Sequence, residues 1–299
     1  MIIAARFRGL AALYASAVLF AFTSLSVKLA SAGFAGTFIS ATRFAIGTIL
    51  SLALVVAGRR GLGGARKLDW FLRGFFGAVA MAAMYVAIAL TGPGRATVLT
   101  NVYPVFVTLF GVAFFGEKVS GRTLSSLALA TAGAIIVMRD GSGANLAGDL
   151  LALGGAVLGG VAVNYVRRAS KAGCDPFVLY LSPSLLGLPL FLFAPLPVAI
   201  PGTASLVFLF AAGIGAFLAQ ALMATGYRTV PAGRGSIVFY AETGLTVLLG
   251  VLLTGERFTV RFAVGLVLIA LGLWINSGRS GRPVAADGRM PAGGMSQEP

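Results

Sequence analysis

Histidine is absent from this chain, and cysteine occurs once, at Cys174. Those shortages exclude a disulfide framework and leave no His/Cys set to hold a metal. Charge is scarce too. Only 11% of the 299 residues are charged, against about 25% in an ordinary soluble domain. With 58% of residues hydrophobic, so little charge cannot cover the apolar surface in water. The solvent is therefore lipid. Enzymatic motifs are missing as well: there is no Gly-rich phosphate loop with its Lys and Ser/Thr, no metal-ligand spacing, and no nucleophile with a His partner. The expectation is a protein that is not an enzyme and carries no cofactor and no metal. A net charge of +14 would suit nucleic acid if the basic residues shared one face of a soluble fold. Here they fill short gaps between apolar runs, which points to a bilayer and away from nucleic acid.

What the chain does have, it has twice. Gly94-Arg95, an apolar run, Gly111-Val112, Gly116-Glu117-Lys118 and Arg122 recur 139 residues later without a gap. The second copy reads Gly233-Arg234, Gly250-Val251, Gly255-Glu256-Arg257 and Arg261. Flanking matches include Phe71 with Phe210, Gly74 with Gly213 and Gly133 with Gly272. Apolar matches come cheaply in such a sequence; the paired Gly-Arg and Gly-Glu-Lys/Arg punctuation does not. A membrane span needs about 20 mostly apolar residues. Ten such runs can be drawn, at 9–30, 36–57, 70–90, 95–115, 121–138, 148–169, 175–194, 204–227, 233–254 and 260–277. The first is too long for the core of a cleaved signal peptide and reads as a span.

The expected fold is thus all-α and integral to the membrane. Ten transmembrane helices form two five-helix repeats, 1–139 and 140–277, followed by a polar, disordered cytoplasmic tail, 278–299. Five is odd, so the second repeat enters the bilayer from the opposite face. The halves are then an inverted-topology pair about a twofold axis in the membrane plane. Loop Lys and Arg set the orientation. With the N-terminus inside, 16 lie on the cytoplasmic side and 5 outside. Both termini are therefore expected in the cytoplasm of a cell (inner) membrane.

Ionisable groups inside spans are costly and mark function by default. Arg43 lies about two turns into the second run, where it either pairs with carbonyls and snorkels or acts in gating. Glu242, near the middle of the ninth, either meets the transport pathway or a buried structural partner. Helix breaks are the second signal, because substrate sites between inverted repeats lie near the midplane where helices are interrupted. The fourth run carries Asn101, Tyr103 and Pro104 at mid-depth, and the ninth places Tyr240, Glu242 and Thr243 at matching positions. The third and eighth add Tyr85, Gln220 and Tyr227, and the sixth adds Asn164. Ordinary interhelical hydrogen bonding uses the same residue types. Repeated in both halves, the set predicts a substrate cavity lined by Tyr85, Asn101, Tyr103, Asn164, Gln220, Tyr227, Tyr240 and Glu242. Arg43, Pro104, Gly111 and Gly250 are structural or gating positions. Gly255-Glu256 and Gly116-Glu117 read as helix-end fixtures.

The sequence resembles the EamA-like ten-span exporters of the drug/metabolite transporter superfamily, most closely the YddG-type amino-acid exporters. Arg43-Phe44, Pro104 with Gly116-Glu117, Gly148-Asp149-Leu150-Leu151-Ala152 and Gly255-Glu256 carry the likeness over residues 9–277. The resemblance implies a basket in which spans three, four, eight and nine line a central cavity. One, two, six and seven would surround it, with five and ten behind. The chain departs from the small multidrug relatives, since its first span has no acid. It also shows no clustering of intramembrane Lys and Arg such as phosphate or sugar-nucleotide exchange would want. The expected function is alternating-access export of small neutral or zwitterionic metabolites, amino acids including aromatic ones. Export of lipophilic drugs is the alternative. The expected partners are a small-molecule substrate and the lipid bilayer, and the expected state is a monomer.

Overall fold

The computed structural model describes residues 2–115, 121–141, 145–197, 201–227 and 232–277. Among them every regular element is helical: α1 (Ile2–Ala30), α2 (Gly36–Ala57), α3 (Lys67–Thr91), α4 (Pro93–Thr100), α5 (Tyr103–Phe115), α6 (Gly121–Met138), α7 (Leu146–Lys171), α8 (Pro176–Gly187), α9 (Thr203–Tyr227), α10 (Ala232–Thr254) and α11 (Val260–Ser277). A 3₁₀ segment, Leu188–Phe193, continues α8. All ten apolar runs carry helix. Among the described residues six stretches are long and apolar enough to cross a membrane: Phe7–Ala30, Gly36–Ala57, Lys67–Thr91, Leu146–Val166, Pro176–Phe193 and Thr203–Met223. Large apolar side chains such as Phe75, Phe114, Leu192, Leu252 and Trp274 are exposed on the outside, which suits lipid and would aggregate in water. The polar tail at 278–299 and the Gly116-Glu117-Lys118 motif lie outside the described residues.

The fourth run is two helices, not one. Proline has no N–H to give the carbonyl four residues back, and its ring crowds that carbonyl. For Pro104 that carbonyl belongs to Thr100, the residue at which α4 ends. The chain turns through Asn101 and Val102, and Pro104 stands in the first turn of α5, where a missing donor costs nothing. Its counterpart in the second copy is Thr243, and α10 runs unbroken from Ala232 to Thr254.

The two copies are packed through one another. α1 lies along α9, and α7, the counterpart of α1, lies along α3, the counterpart of α9. In the same exchange α2 meets α9 while α8 meets α3, and α1 meets α10 while α7 meets α4 and α5. Three contacts map onto themselves: α2 with α8, α4 with α10, and α6 with α11. The last is a backbone contact. A Cβ added at Gly133 would lie 2.6 Å from the Gly265 carbonyl oxygen, and one at Gly265 would lie 2.8 Å from that of Gly133. Small residues let apolar helices approach this closely without any hydrophobic drive between them. The main core gathers Val27, Ile39, Ile88, Val98, Leu99 and Phe262, all essentially inaccessible.

Loops close both ends of the bundle. At one end the turn at Gly33 sits against Pro201 and Ser205. At the other, Gly64 N–H donates to the Ala172 carbonyl at 2.9 Å, and Arg60 pairs with Asp175 at 3.2 Å. Asp175 also caps α8 by accepting from Phe177 N–H at 2.9 Å.

Candidate functional site

The helix break of one half meets α10 of the other at the residue that follows the buried carboxylate. Asn101 Nδ2, at the end of α4, donates to Thr243 Oγ1 on α10 at 2.5 Å. Glu242, 7% exposed, is the residue before that acceptor. Thr97 and Thr246 are buried beside them with hydroxyls that find no partner. A polar seam therefore runs through an apolar interior at mid-depth. Pro104 creates it by ending α4 where Asn101 can turn toward α10. Thr246 was not among the expected residues. Its helical spacing from Glu242 and Thr243 was the available signal.

The other expected residues divide. Arg43 and Tyr85 lie together, with the guanidinium carbon 5.1 Å from the Tyr85 ring centre. Arg43 is not paired with Glu242; its Nη1 reaches Met81 Sδ at 2.9 Å. Asn164 Nδ2 donates to the Val107 carbonyl at 3.1 Å and the Gly160 carbonyl at 3.0 Å. One bond ties α7 to α5 and the other folds back within α7, so the amide nitrogen is already engaged. Tyr103 is half-buried and faces Gly159 of α7. Gln220 is half-buried on α9. Gly111 is buried on α5, and Gly250 on α10 packs against Glu256. The side chains of Pro104, Tyr227 and Tyr240 lie outside the described residues. One expectation needs correcting. Intramembrane arginines do cluster, because Arg43 of α2 and Arg73 of α3 come within electrostatic reach of each other. They are far apart in sequence, and only the packing of α2 on α3 joins them. Among the described residues no three His, Cys, Asp or Glu side chains gather at one point.

A second polar assembly lies at one end of the bundle, around the start of α4. Arg95, 2% exposed, grips Asp149 of α7 with two hydrogen bonds, Nε to Oδ1 at 2.7 Å and Nη2 to Oδ2 at 2.6 Å. The same guanidinium donates to the carbonyls of Asp140 at 3.0 Å and Met138 at 3.1 Å, closing off α6. Sequence reasoning placed Arg95 at a surface and gave Asp149 no role beyond a motif. Glu256, between α10 and α11 and outside both, accepts from Gly94 N–H at 3.2 and 3.1 Å through its two oxygens. It thereby caps α4 from the other half, as its helix-end reading anticipated. Gly92 at that helix start has φ +96°, and a side chain there would strike the Glu256 carboxylate.

Burial pushes the Glu256 carboxyl up to about 7, although the Gly94 N–H, Lys28 and Arg95 pull it down. The folded chain thus holds this proton more tightly than the unfolded chain. Its contribution to stability is complete below the ordinary value of 4.5 and is lost as pH rises through about 7. The expected result is that the melting temperature of wild type falls relative to that of Glu256→Gln as pH rises across that window. A difference that stays constant with pH would show that Glu256 does not titrate there.

The EamA-like transporter family matches this sequence over residues 7–139 and again over 146–278. The chain belongs to the EamA-like transporter family. Both bounds of the second EamA match are displaced from the first by the offset that separates the repeated Gly-Arg and Gly-Glu motifs. Among curated relatives, mouse "Solute carrier family 35 member G1" is 31% identical over 189 residues, 58% of this chain and 51% of its own length. The chain thus spans about half of that relative. An "Uncharacterized transporter" of Archaeoglobus fulgidus is 24% identical over 255 residues, 79% of this chain and 87% of its own. One crystal structure superposes with a TM-score of 0.61 at 19% identity, covering 91% of this chain and 96% of that one; the likeness is one of fold. This EamA-family chain is a multi-pass membrane protein, consistent with the drug/metabolite transporter superfamily.

Proposed function

We propose that this transporter exports small neutral or zwitterionic metabolites, amino acids including aromatic ones, by alternating access through a central cavity. The observation that carries the reading is the buried seam of Asn101, Glu242 and Thr243, which joins the broken helix of one half to the unbroken helix of the other. Hydrogen-bonding groups at mid-depth, where a helix is interrupted, are what solute binding between repeats needs. The exchange of helix contacts between 1–139 and 140–277 supports ten spans arranged as two inverted halves. The loop Lys and Arg bias supports an inner-membrane protein with both termini cytoplasmic, and we take it to act as a monomer. The name of the mouse relative, a solute carrier, favours a dissolved solute over a lipid.

Purified full-length protein in proteoliposomes should take up labelled phenylalanine and tyrosine well above empty vesicles, tested with and without a pH gradient. Uptake of lipophilic cations alone would overturn the amino-acid reading in favour of drug export.

A further inference from the structure

Two arginines lie inside the bundle between α2, α3 and α8, and among the described residues neither is paired with an acid. Arg43 is 4% exposed. Its partners are a thioether, at Met81, and the rings of Tyr85 and Phe44. Sulfur is a weak acceptor, and a ring face returns only about 0.5–2 kcal/mol. The Tyr85 hydroxyl reaches the guanidinium without completing a well-directed hydrogen bond, and Arg43 Nε is buried with no partner. Arg73 enters from the opposite end of α3. An arginine near the end of a span ordinarily snorkels to the nearer surface. This one does the reverse: its guanidinium lies along Gly77, one turn deeper, next to Pro183 of α8. Its Nε is buried and unpartnered as well.

The surroundings are built of hydroxyls. Tyr180 of α8 is within electrostatic reach of both arginines. Its hydroxyl lies 3.3 Å from where a Cβ on Gly47 of α2 would stand, and it makes no hydrogen bond. The hydroxyls of Thr48 and Ser51 are buried and unpartnered on α2. On α2, Arg43, Gly47 and Ser51 share one face, and on α3, Arg73, Gly77, Met81 and Tyr85 do the same.

Two like charges out of water cost several kcal/mol unless something opposes them. Elsewhere this chain supplies the opposing charge itself: Arg60 has Asp175, Arg95 has Asp149 and Arg168 has Asp69. Among the described residues no carboxylate pairs with Arg43 or Arg73. A planar guanidinium fork matches a carboxylate edge on. Here two guanidinium charges stand without a paired acid among the described residues, and two anionic groups balance them in charge.

We propose that Arg43, Arg73, Tyr85 and Tyr180 form a binding site for the carboxylate of the transported solute, and that solutes with two carboxylates fit it best. The inference rests on the transport reading for its purpose but not for its test. The test is ligand-induced thermal stabilisation of the purified full chain in detergent by succinate, phenylalanine, phenylalaninamide and inorganic phosphate. Succinate should stabilise most, phenylalanine less and the amide not at all. Arg73→Gln and Tyr180→Phe should each weaken succinate by about tenfold or more, the effect of losing a charge-assisted hydrogen bond. Arg73→Lys should recover part of it. Tyr180→Phe removes only a hydroxyl and decides the matter if the arginine variant does not fold. Equal stabilisation by phenylalanine and its amide, preference for phosphate, or unchanged succinate binding in Arg73→Gln or Tyr180→Phe would overturn the proposal. Succinate binding without amino-acid uptake in proteoliposomes would leave this site standing and remove the amino-acid reading instead.

Discussion

Replacing Arg95 by leucine is expected to cost about 3–5 kcal/mol of stability, the penalty for breaking one side of a buried ion pair. The magnitude follows from what is stranded. Asp149 would keep its charge at 2% side-chain exposure with its bidentate partner gone. The carbonyls of Met138 and Asp140 would each lose a donor. Those acceptors belong to α7 and to the end of α6, so the loss falls on three elements that converge at the start of α4. Chemical denaturation of the purified protein, followed by tryptophan fluorescence, measures it. The double variant Arg95→Leu with Asp149→Leu should be less destabilised than Arg95→Leu alone, because the Asp149 charge is then no longer left buried without its bidentate partner, although Asp140, 4.0 Å from Arg95, still loses its ion pair. A cost below about 1 kcal/mol, the range of solvent-exposed pairs, would mean that water reaches this end of the bundle.

Glu242→Gln should lower the initial rate of solute flux by about tenfold, equivalent to one charge-assisted contact of about 1.4 kcal/mol, with expression and melting temperature intact. Glutamine keeps the size and hydrogen bonding of the side chain and removes the charge. Among the described residues no cation forms an ion pair with Glu242, so the substitution strands no buried partner. Its neighbour Thr243 is the acceptor that ties α10 to the broken helix, so a charge change here acts where the two halves meet. Gln220→Ala, half-buried and uncharged on α9, should mainly raise the apparent KM. Unaltered flux and pH dependence in Glu242→Gln, measured in proteoliposomes at several pH values, would return Glu242 to a structural role.

Punctuation was the readable part of this sequence. Gly94-Arg95 and Gly255-Glu256 mark helix ends, and the fixed offset between the copies carries the duplication without any structural input. Pro104 marked the break because its effect is a matter of one missing N–H. Partnership was not readable. Arg95 sits at the edge of an apolar run, where a charge is ordinarily solvated, and nothing nearby in sequence announces Asp149. Asn164 looks like any polar residue in a span until α5 supplies a carbonyl for it. Arg43 and Arg73 are separated by most of α2, a loop and the first turns of α3. Their proximity depends on which faces of α2 and α3 meet, a property of the assembled bundle.

The interlocking of the halves has a consequence for how the molecule is made. Ser16 on α1 donates to the carbonyl of Ala219 on α9, 203 residues further on. At about 5–20 residues per second on the ribosome, α1 waits in the bilayer for roughly ten to forty seconds before its final neighbour exists. During that interval the buried serines and threonines of α1, among them Ser16, Thr23 and Ser24, face lipid or a temporary companion. The amino-terminal repeat is thus a nascent intermediate that needs shelter, and a quality-control protease would find its window before the eighth apolar run has been translated.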